Sequence, residues 1–291
     1  MSPRNKSILI TGCSRGGIGH ALAVECQRRG MTVFATARTP SKMSDLEDLP
    51  NVTLLSLDVT SPTSIADAVK QVGVTTAGHL DYLLNNSGQD IVLPALDLDI
   101  DQGKKMFDVN FWGVLRMIQA FAPLLIESSG TIVNIGSIVA YLNTPYTAVY
   151  NSSKAAIHML SDTLRLELAP LNIKVLTVVT GSVKTNIHQN SPKFMLPTGA
   201  AVGEGGTATE SRYLAVSSTL EKRWNDQVDY DPSTPQDFAR DVIGDVLAGA
   251  TGKIWRGRHA SETRWARYFM PVWLSDMILT RGTDLDKVGK L

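Results

Sequence analysis

The chain has 291 residues, of which 43% are hydrophobic and 19% are charged. This composition is sufficient for a buried core and argues against disorder over most of the chain. The 28 Lys and Arg residues balance the 28 Asp and Glu residues, and this neutrality argues against a dedicated nucleic-acid-binding protein. The two cysteines, Cys13 and Cys26, cannot form a disulfide framework and lack the spacing of metal ligands, so we predict no metal site.

The sequence carries no signal for secretion or membrane insertion. The apolar run Ile8–Ile10 is too short for the core of a signal peptide. The longest window without charged residues, 130–153, contains Asn, Ser, Thr, Gly and Pro, which are unsuited to the bilayer interior. We therefore predict a soluble, cytoplasmic protein.

Short apolar runs typical of β-strands alternate with segments of helical spacing, such as 22–29 and 65–72. Parallel strands need crossover connections, which such helices supply, and strands that are apolar throughout are typical of a sheet covered on both faces. The sequence therefore predicts one α/β domain over 1–291, a doubly wound Rossmann-type parallel sheet with helices on both faces. The predicted strands are Ser7–Ile10, Thr32–Thr36, Val52–Leu57, Tyr82–Asn85, Thr131–Ile135 and Lys174–Val179.

Two segments depart from this alternation. Residues 186–227 contain no strand pattern and include Gly203, Gly205 and Gly206, so we predict a mobile substrate loop or lid. Residues 255–291 are predicted to form a C-terminal extension that is rich in aromatic residues and arginine.

A glycine-rich turn, Thr11–Gly19, directly follows the first predicted strand and precedes a helical segment. Glycines in such a turn let the backbone approach a pyrophosphate, and the N-terminus of the helix supplies oriented N–H groups. Glycines can also serve a tight turn alone, but the strand–turn–helix context favours phosphate binding.

The residues after the second strand predict which dinucleotide is bound. A carboxylate there would bind the ribose 2′-hydroxyl of NAD, but the sequence has Thr36-Ala37-Arg38 and no acidic residue before Asp45. Arg38 and Arg15 can together hold a 2′-phosphate, although Arg38 can also be an ordinary solvated residue. The pattern favours NADP(H) over NAD(H).

Tyr150 and Lys154 are four positions apart and share one face if their segment is helical. The phenol of tyrosine, with a pKa of about 10, is a poor base at neutral pH. A nearby ammonium stabilises the phenolate and lowers that pKa, so the pair can act as an acid/base group. By itself, this spacing more often gives a packing tyrosine and a surface lysine.

Further motifs accompany this pair over residues 7–185. They are Thr11–Gly19, Asp58-Val59-Thr60, Asn85–Gly88, Asn110, Ser137, Tyr150–Lys154 and Thr180–Thr185. Their order resembles that of the short-chain dehydrogenase/reductase family. The resemblance implies an NADP(H)-dependent oxidoreductase that acts on C=O or CH–OH groups of a small molecule.

The resemblance also implies a catalytic role for four residues. Tyr150 would exchange a proton with the substrate oxygen while a hydride passes to or from the nicotinamide, and Ser137 would hydrogen-bond that oxygen. Lys154 would hold the nicotinamide ribose and lower the pKa of Tyr150. Asn110 would maintain a water-linked proton path to Lys154. The joint presence of these four residues disfavours a non-catalytic domain.

The cofactor contacts are implied in the same way. Asp58 would contact the adenine and Thr185 the nicotinamide carboxamide, although Asp58 alone could merely satisfy backbone groups. The full implied set is Gly12, Ser14, Arg15, Gly17, Ile18, Gly19, Arg38, Asp58, Val59, Asn86, Ser87, Gly88, Tyr150, Lys154, Gly181, Val183 and Thr185.

Three features depart from the family pattern. Four residues separate Gly12 from Gly17 where the family has three, which leaves the roles of Gly16 and Gly17 open. Thr180 replaces a proline, and Ser87 replaces an alanine. None of these departures removes a reacting group.

The segments Gly16–Gly19 and Ile254–Gly257 resemble those of fungal-type 1-acyldihydroxyacetone phosphate reductases, which implies an apolar or lipid-like ketone as substrate. The first alternative is a ketone reductase or alcohol dehydrogenase of specialised polyketide, terpenoid or steroid metabolism. The second, from another class, is a non-catalytic NADP(H)-binding scaffold. Lys184, Lys193 and Arg212 could receive a phosphate group or be solvated.

An apolar stripe of helical spacing occurs in the extension, at Trp265, Phe269, Val272 and Trp273, with Pro271 interrupting any single helix. Such a stripe more often packs on the domain or in a subunit contact. The alternative is peripheral contact with endoplasmic reticulum or lipid droplets, since tryptophan and arginine favour membrane interfaces.

A second stripe, Ile157, Leu160, Leu164 and Leu168, follows Tyr150 along the same predicted helix. Members of the family often pair such helices between subunits. The resemblance therefore implies a homodimer or homotetramer.

Overall fold

The computed structural model describes residues 5–187, 191, 195–198, 210–225 and 231–289. The strands in this part of the chain are β1 (Ser7–Thr11), β2 (Thr32–Ala37), β3 (Val52–Ser56), β4 (Tyr82–Asn85), β5 (Thr131–Ile135), β6 (Lys174–Thr180) and β7 (Gly252–Arg256). They form one parallel sheet in the order β3-β2-β1-β4-β5-β6-β7. This is the strand order of a doubly wound Rossmann-type sheet, so the predicted fold class is confirmed.

Helices cover both faces of the sheet. They are α1 (Ile18–Arg28), α2 (Pro62–Thr76), α3 (Ile100–Phe107), α4 (Val114–Ser128), α5 (Ala148–Glu167), α6 (Ser217–Trp224), α7 (Pro235–Leu247), α8 (Ala260–Phe269) and α9 (Val272–Leu279). Alternate residues of β1 point to opposite faces: Ile8 and Ile10 belong to a core with residues of α1 and α7, and Leu9 to a core with residues of α2, α4 and α5. Both faces of the sheet are therefore apolar and buried, as the strand sequences predict.

Residues 100–128 form one long helical segment, in which a π-helical turn at Asp108–Gly113 joins α3 to α4. By length and composition this segment could cross a membrane. However, Met117, Phe121 and Leu125 are fully buried in the core beneath the sheet. The apolar character of this segment is therefore explained by its packing in the protein core.

Two elements were not predicted from the sequence. β7 is a short edge strand that pairs with β6 and contains the charged residues Lys253 and Arg256, which mask its strand character. Trp255, predicted to begin the extension, is instead a buried residue of this strand. α6 lies within the predicted loop 186–227, much of which lies outside the described residues.

The stripe on α5 packs against the core of its own subunit. Ile157 and Leu164 are buried, and Leu160 and Leu168 pack on the same cluster. This stripe therefore gives no support to a subunit contact, and the oligomeric state stays a prediction.

The stripe in the extension lies on α8 and α9, which Pro271 separates. Trp265, Phe269, Val272 and Trp273 are all exposed. Packing of these side chains on the domain, the more common outcome for such a stripe, is therefore wrong for this chain.

Candidate active site

The carboxyl ends of β1, β4, β5 and β6 meet at one edge of the sheet. In an open α/β sheet, ligands bind in the crevice at this edge where the strand order reverses, here between β1 and β4. The glycine-rich turn follows β1, Asn86 follows β4, and Ser137 lies just after β5. The parallel topology therefore brings separate sequence motifs into one crevice.

The backbone angles of the glycine-rich turn distinguish the roles of Gly16 and Gly17, which its extra residue left open. Gly12 and Gly16 have φ angles of +75° and +79°, which other residues rarely adopt. Gly17, with a φ of −93°, is the N-cap of α1. A Cβ atom on Gly19 would lie 2.4 Å from the Gly12 carbonyl oxygen, so only glycine lets α1 approach the turn this closely.

The predicted residues Ser14 and Ile18 lie where the glycine-rich turn leads into α1. The Ser14 carbonyl accepts a hydrogen bond from the Gly17 N–H at 3.2 Å, and Ile18 is the first residue of α1. The first N–H groups of a helix have no partner within it, so they are available to an anion at this edge of the sheet.

Asn86 holds the glycine-rich turn in place. Its side-chain amide donates hydrogen bonds to the carbonyl oxygens of Thr11 at 2.8 Å and of Gly12 at 3.0 Å. The Thr11 hydroxyl accepts the backbone N–H groups of Asn86 and Ser87, both at 2.9 Å. Asn86 and Ser87 thus lie at the crevice, where the amide of Asn86 holds the turn, and their contact with the cofactor stays a prediction.

The two arginines predicted to hold a 2′-phosphate have different surroundings. Arg15 forms an ion pair with Asp45 at 3.2 Å, and His20 bonds the same carboxylate oxygen at 2.8 Å. Arg38 is exposed directly after the last residue of β2. Arg38 therefore has the position expected of a phosphate ligand, whereas the guanidinium of Arg15 is already engaged.

Asp58 and Val59 lie beyond the end of β3. Asp58 accepts hydrogen bonds from the Thr60 N–H at 2.9 Å and the Thr60 hydroxyl at 2.8 Å. Val59 is buried, and a Cβ atom on Gly113 would lie 2.8 Å from its methyl group. The carboxylate of Asp58 therefore shapes this loop, and its contact with adenine stays a prediction.

Three of the predicted catalytic side chains converge beside the end of β5. Ser137 is buried after β5, and its side chain lies close enough to the Tyr150 hydroxyl of α5 to lower the pKa of that hydroxyl. Lys154, one turn further along α5, places Nζ 5.9 Å from the centre of the Tyr150 ring. Its ammonium donates a hydrogen bond to the Ile135 carbonyl oxygen at 3.0 Å.

Burial is the largest influence on the pKa values of Tyr150 and Lys154. It raises the pKa of Tyr150 above its usual value, the Asp90 carboxylate raises it further, and the hydrogen bond with Ser137 lowers it. Burial also lowers the pKa of Lys154 to about 8, against the opposing effect of Asp90. The expected lowering of the Tyr150 pKa is therefore not found, and the Tyr150 hydroxyl keeps its proton at neutral pH.

Asn110 lies in the π-helical turn and links three segments. Its Oδ1 accepts the Gln89 N–H at 2.8 Å, and its Nδ2 donates to the Gln89 carbonyl at 2.8 Å and to the Ser153 hydroxyl at 3.0 Å. A Cβ atom on Gly88 would lie 3.8 Å from Lys154 Nζ. Asn110 thus joins the segment after β4 to α5, and the water-linked proton path stays a prediction.

The segment after β6 completes the crevice. A Cβ atom on Gly181 would lie 2.0 Å from the Arg258 carbonyl oxygen, so this position requires glycine. Val183 forms a bridge with Ser233, and the Thr185 hydroxyl accepts the Ile187 N–H at 3.3 Å. The segment leads from the end of β6 towards the glycine-rich turn.

Residues 6–195, which include every residue of this crevice, match the family described as short chain dehydrogenase. The chain belongs to the short-chain dehydrogenase family. Members of this family are oxidoreductases, so the protein is an enzyme that acts on alcohol or ketone groups.

Curated relatives support this membership over nearly the whole chain. The chain is 42% identical to the short-chain dehydrogenase ptmH of Penicillium ochrochloron over 95% of this chain and 97% of the relative. It is 46% identical to the NADPH-dependent 1-acyldihydroxyacetone phosphate reductase of Schizosaccharomyces pombe, over 73% of this chain and 71% of the relative.

Solved short-chain dehydrogenases share the fold. One from Streptomyces avermitilis has a TM-score of 0.75 and 26% identity, covering 99% of this chain and 98% of its own. Another, from Burkholderia cenocepacia in complex with NADP, has a TM-score of 0.72 and 25% identity, covering 96% of this chain and all of its own. The chain is therefore similar to these enzymes over its full length.

Several residues of this short-chain dehydrogenase site escaped the sequence predictions. Thr11 and Gly16 belong to the predicted turn but were not singled out as site residues. Gln89, which was not predicted, donates its N–H to Asn110 Oδ1 and accepts a hydrogen bond from Asn110 Nδ2 at its carbonyl. Asp90 and His158 lie beside the catalytic residues. His158 follows Lys154 by four positions on the same helix face, a spacing from which it could have been predicted.

The buried His158 side chain holds the backbone of Ser137 by a hydrogen bond. Its Nε2 accepts the Ser137 backbone N–H at 3.2 Å, so the neutral ring carries its proton on Nδ1. A Cβ atom on Gly136 would lie 2.1 Å from this Nε2, so glycine is required there. Burial, followed by the nearby ammonium of Lys253, lowers the pKa of His158 to about 3.

We expect His158 to make the stability of the enzyme depend on pH. The folded protein keeps the ring neutral, whereas the unfolded chain binds a proton below its ordinary pKa of 6.5. The stabilisation is thus complete above pH 6.5 and is lost as the pH falls towards about 3. Between pH 7 and pH 5, the free energy of unfolding should fall by about 2 kcal/mol through this group.

Urea denaturation of wild type and His158→Gln at these two pH values measures the effect. Glutamine can accept the same N–H but does not titrate, so its stability should depend less on pH. An equal pH dependence in the two proteins would contradict the assignment.

Proposed function

We propose that the protein is an NADP(H)-dependent oxidoreductase that transfers a hydride between the cofactor and a ketone or secondary alcohol of an apolar substrate. The observation that carries this proposal is the convergence of the Tyr150 hydroxyl, the buried Ser137 side chain and the buried Lys154 ammonium, which lies 5.9 Å from the centre of the Tyr150 ring. A carbonyl oxygen that becomes an alcohol oxygen needs a proton and hydrogen-bond donors, which these side chains provide.

The crevice fits a dinucleotide. A Cβ atom on Gly12 would lie 3.0 Å from the Asn86 amide nitrogen, so glycine lets the turn pack closely against the segment after β4. A compact glycine-rich turn at this position lets the backbone approach a pyrophosphate. The N-terminus of α1 would hold the pyrophosphate, and Lys154 the nicotinamide ribose. The bound cofactor supplies the hydride, and Val183 and Thr185 would border its carboxamide.

The region after β2 favours NADP(H) over NAD(H). Arg38 offers an exposed guanidinium where the 2′-phosphate would lie, and that position carries no carboxylate. The carboxylate of Asp45 is occupied by Arg15 and His20. A relative described as NADPH-dependent and a solved relative in complex with NADP support the same choice.

In the direction of reduction, Tyr150 donates its hydroxyl proton to the carbonyl oxygen as the carbonyl carbon receives the hydride. Ser137 donates a hydrogen bond to the same oxygen and so stabilises the negative charge that develops there. The ammonium of Lys154 stabilises the resulting Tyr150 phenolate, and a water chain held by Asn110 would return the proton. Alcohol oxidation uses the same groups in reverse.

The substrate is proposed to be an apolar ketone, either 1-acyldihydroxyacetone phosphate or a neutral ketone of specialised metabolism. The 46% identical reductase of Schizosaccharomyces pombe supports the first. The test is NADPH consumption by the native protein with phosphorylated lipid ketones and with cyclic ketones, followed by absorbance. A non-catalytic scaffold would bind NADPH and reduce no ketone, and that result would contradict the proposal.

We further propose that the cytoplasmic enzyme contacts the surface of endoplasmic reticulum or lipid droplets through α8 and α9. No residue of α9 is buried, and Phe269 and Trp273 are 77% and 68% exposed. Arg264 and Arg281 accompany this apolar face and complement the charge of an anionic lipid surface.

A vesicle flotation assay tests this contact. We expect binding to vesicles that contain phosphatidylserine, and about 100-fold weaker binding by Phe269→Ser/Trp273→Ser, since each buried large apolar side chain contributes about 1.5–3 kcal/mol. Leu166→Ser, which replaces an exposed apolar residue of α5, is the matched control and should bind like wild type. Sedimentation as a dimer without vesicle binding would instead assign this face to a subunit contact.

A further inference from the structure

A buried carboxylate lies beside the catalytic pair. Asp90 is 3% exposed and follows β4 by five positions. The preceding residue, Gln89, is held through both its N–H and its carbonyl by Asn110. A Cβ atom on Gly88 would lie 3.8 Å from Lys154 Nζ, so the backbone two residues before Asp90 runs beside the predicted catalytic lysine.

The charge of Asp90 acts on the reacting groups. Its carboxylate raises the pKa of both Tyr150 and Lys154, which shows that its field reaches each of them. Within the described part of the chain, Lys154 is the only buried lysine or arginine. The positive charge of the buried site is therefore balanced by Asp90 before a substrate enters.

Asp90 also contacts the predicted substrate loop. The Ser191 hydroxyl donates a hydrogen bond to the Asp90 carboxylate, and the Asp90 N–H donates to the Ser191 oxygen at 3.4 Å. Ser191 belongs to the segment 186–227, in which substrate selection is expected. Asp90 thus lies between the catalytic pair and the loop, where the groups flanking a substrate carbonyl would be recognised.

We propose that Asp90 selects a neutral ketone that carries a hydroxyl group near its carbonyl, and rejects a ketone with a phosphate there. A hydroxyl can donate a hydrogen bond to this carboxylate, whereas a phosphate carries about 1.5 to 2 negative charges and would be repelled. In a desolvated site, such like-charge contacts are strongly unfavourable. This inference rests on the proposed ketone reduction and narrows its substrate class.

The test compares a short-chain 1-acyldihydroxyacetone with its phosphate ester, two ketones that differ only at the flanking oxygen. Wild type should show at least about tenfold higher kcat/KM for the free hydroxyl compound. Asp90→Asn should reduce this preference at least about tenfold, because the amide keeps the shape of the side chain without its charge. Asp97→Asn is the matched control, since Asp97 accepts a hydrogen bond from Ser211 of the same loop at 2.6 Å and should leave the preference unchanged.

Binding of the two corresponding alcohols to the NADP⁺ complex provides a second readout if Asp90→Asn also slows turnover. The ratio of the two dissociation constants should favour the free hydroxyl compound in wild type, and Asp90→Asn should reduce that ratio at least about tenfold. An unchanged ratio in Asp90→Asn, or a wild-type preference for the phosphate ester, would overturn the role of Asp90. Failure to reduce any ketone would instead overturn the proposed function itself.

Discussion

Tyr150→Phe is expected to reduce kcat for NADPH-dependent ketone reduction at least about 100-fold, the scale of losing a positioned acid. The substitution removes the hydroxyl that lies beside Ser137 and leaves the ring beside Lys154. The affinity for NADPH should therefore be preserved. Stopped-flow measurement of NADPH oxidation at saturating ketone, together with a fluorescence titration of NADPH, separates the two quantities.

Tyr82→Phe is the matched control for this substitution. Tyr82 begins β4, at the edge of the sheet opposite the crevice, and loss of its hydroxyl should leave kcat unchanged. If Tyr150→Phe retained the wild-type rate while binding NADPH, Tyr150 would not be the proton donor and the proposed mechanism would fail.

Arg38→Asp is expected to weaken the binding of NADPH about 100-fold, because it removes a charged hydrogen bond to the 2′-phosphate and adds a repelling carboxylate. The affinity for NADH should be unchanged or improved, since a carboxylate at this position can accept the ribose 2′-hydroxyl. The ratio of the two dissociation constants, measured by fluorescence at constant ionic strength, is the informative quantity.

Arg28→Asp controls for the change in overall charge. Arg28 is exposed in the last turn of α1, at the opposite edge of the sheet from the crevice. Its substitution should leave the ratio of NADPH to NADH affinity at the wild-type value. An equal loss of affinity for both cofactors in Arg38→Asp would show that Arg38 does not recognise the phosphate.

The fold was predictable because its strands and helices have strong local patterns. The six predicted strands all occur, and their ends shift by no more than one residue. β7 was missed because Lys253 and Arg256 of this edge strand are only partly buried and carry charge. The stripe on α5 was offered as a subunit contact, but its residues pack in the core of their own chain, since periodicity shows that a helix has an apolar face and not what covers it. The oligomeric state stays a prediction.

Much of the site was also predictable, because catalytic side chains and glycines with special φ angles appear directly in the sequence. The ion pair of Arg15 with Asp45 and the bond of His158 to Ser137 join residues distant along the chain, so no local pattern reveals them. The direction of the Tyr150 pKa shift was missed for a similar reason. It depends on burial and on Asp90, which only packing determines.

The sequence by itself determined the alternating strand and helix order, the glycine-rich turn and the placement of Tyr150 and Lys154 on one helix face. These features depend on residue type and on spacing within one element. Only the tertiary structure decided the charge balance around Tyr150, the burial of Asp90 and the exposure of Phe269 and Trp273. Those properties arise when distant segments pack together and exclude water, because burial and Coulomb interactions depend on distance in space and not on separation along the chain.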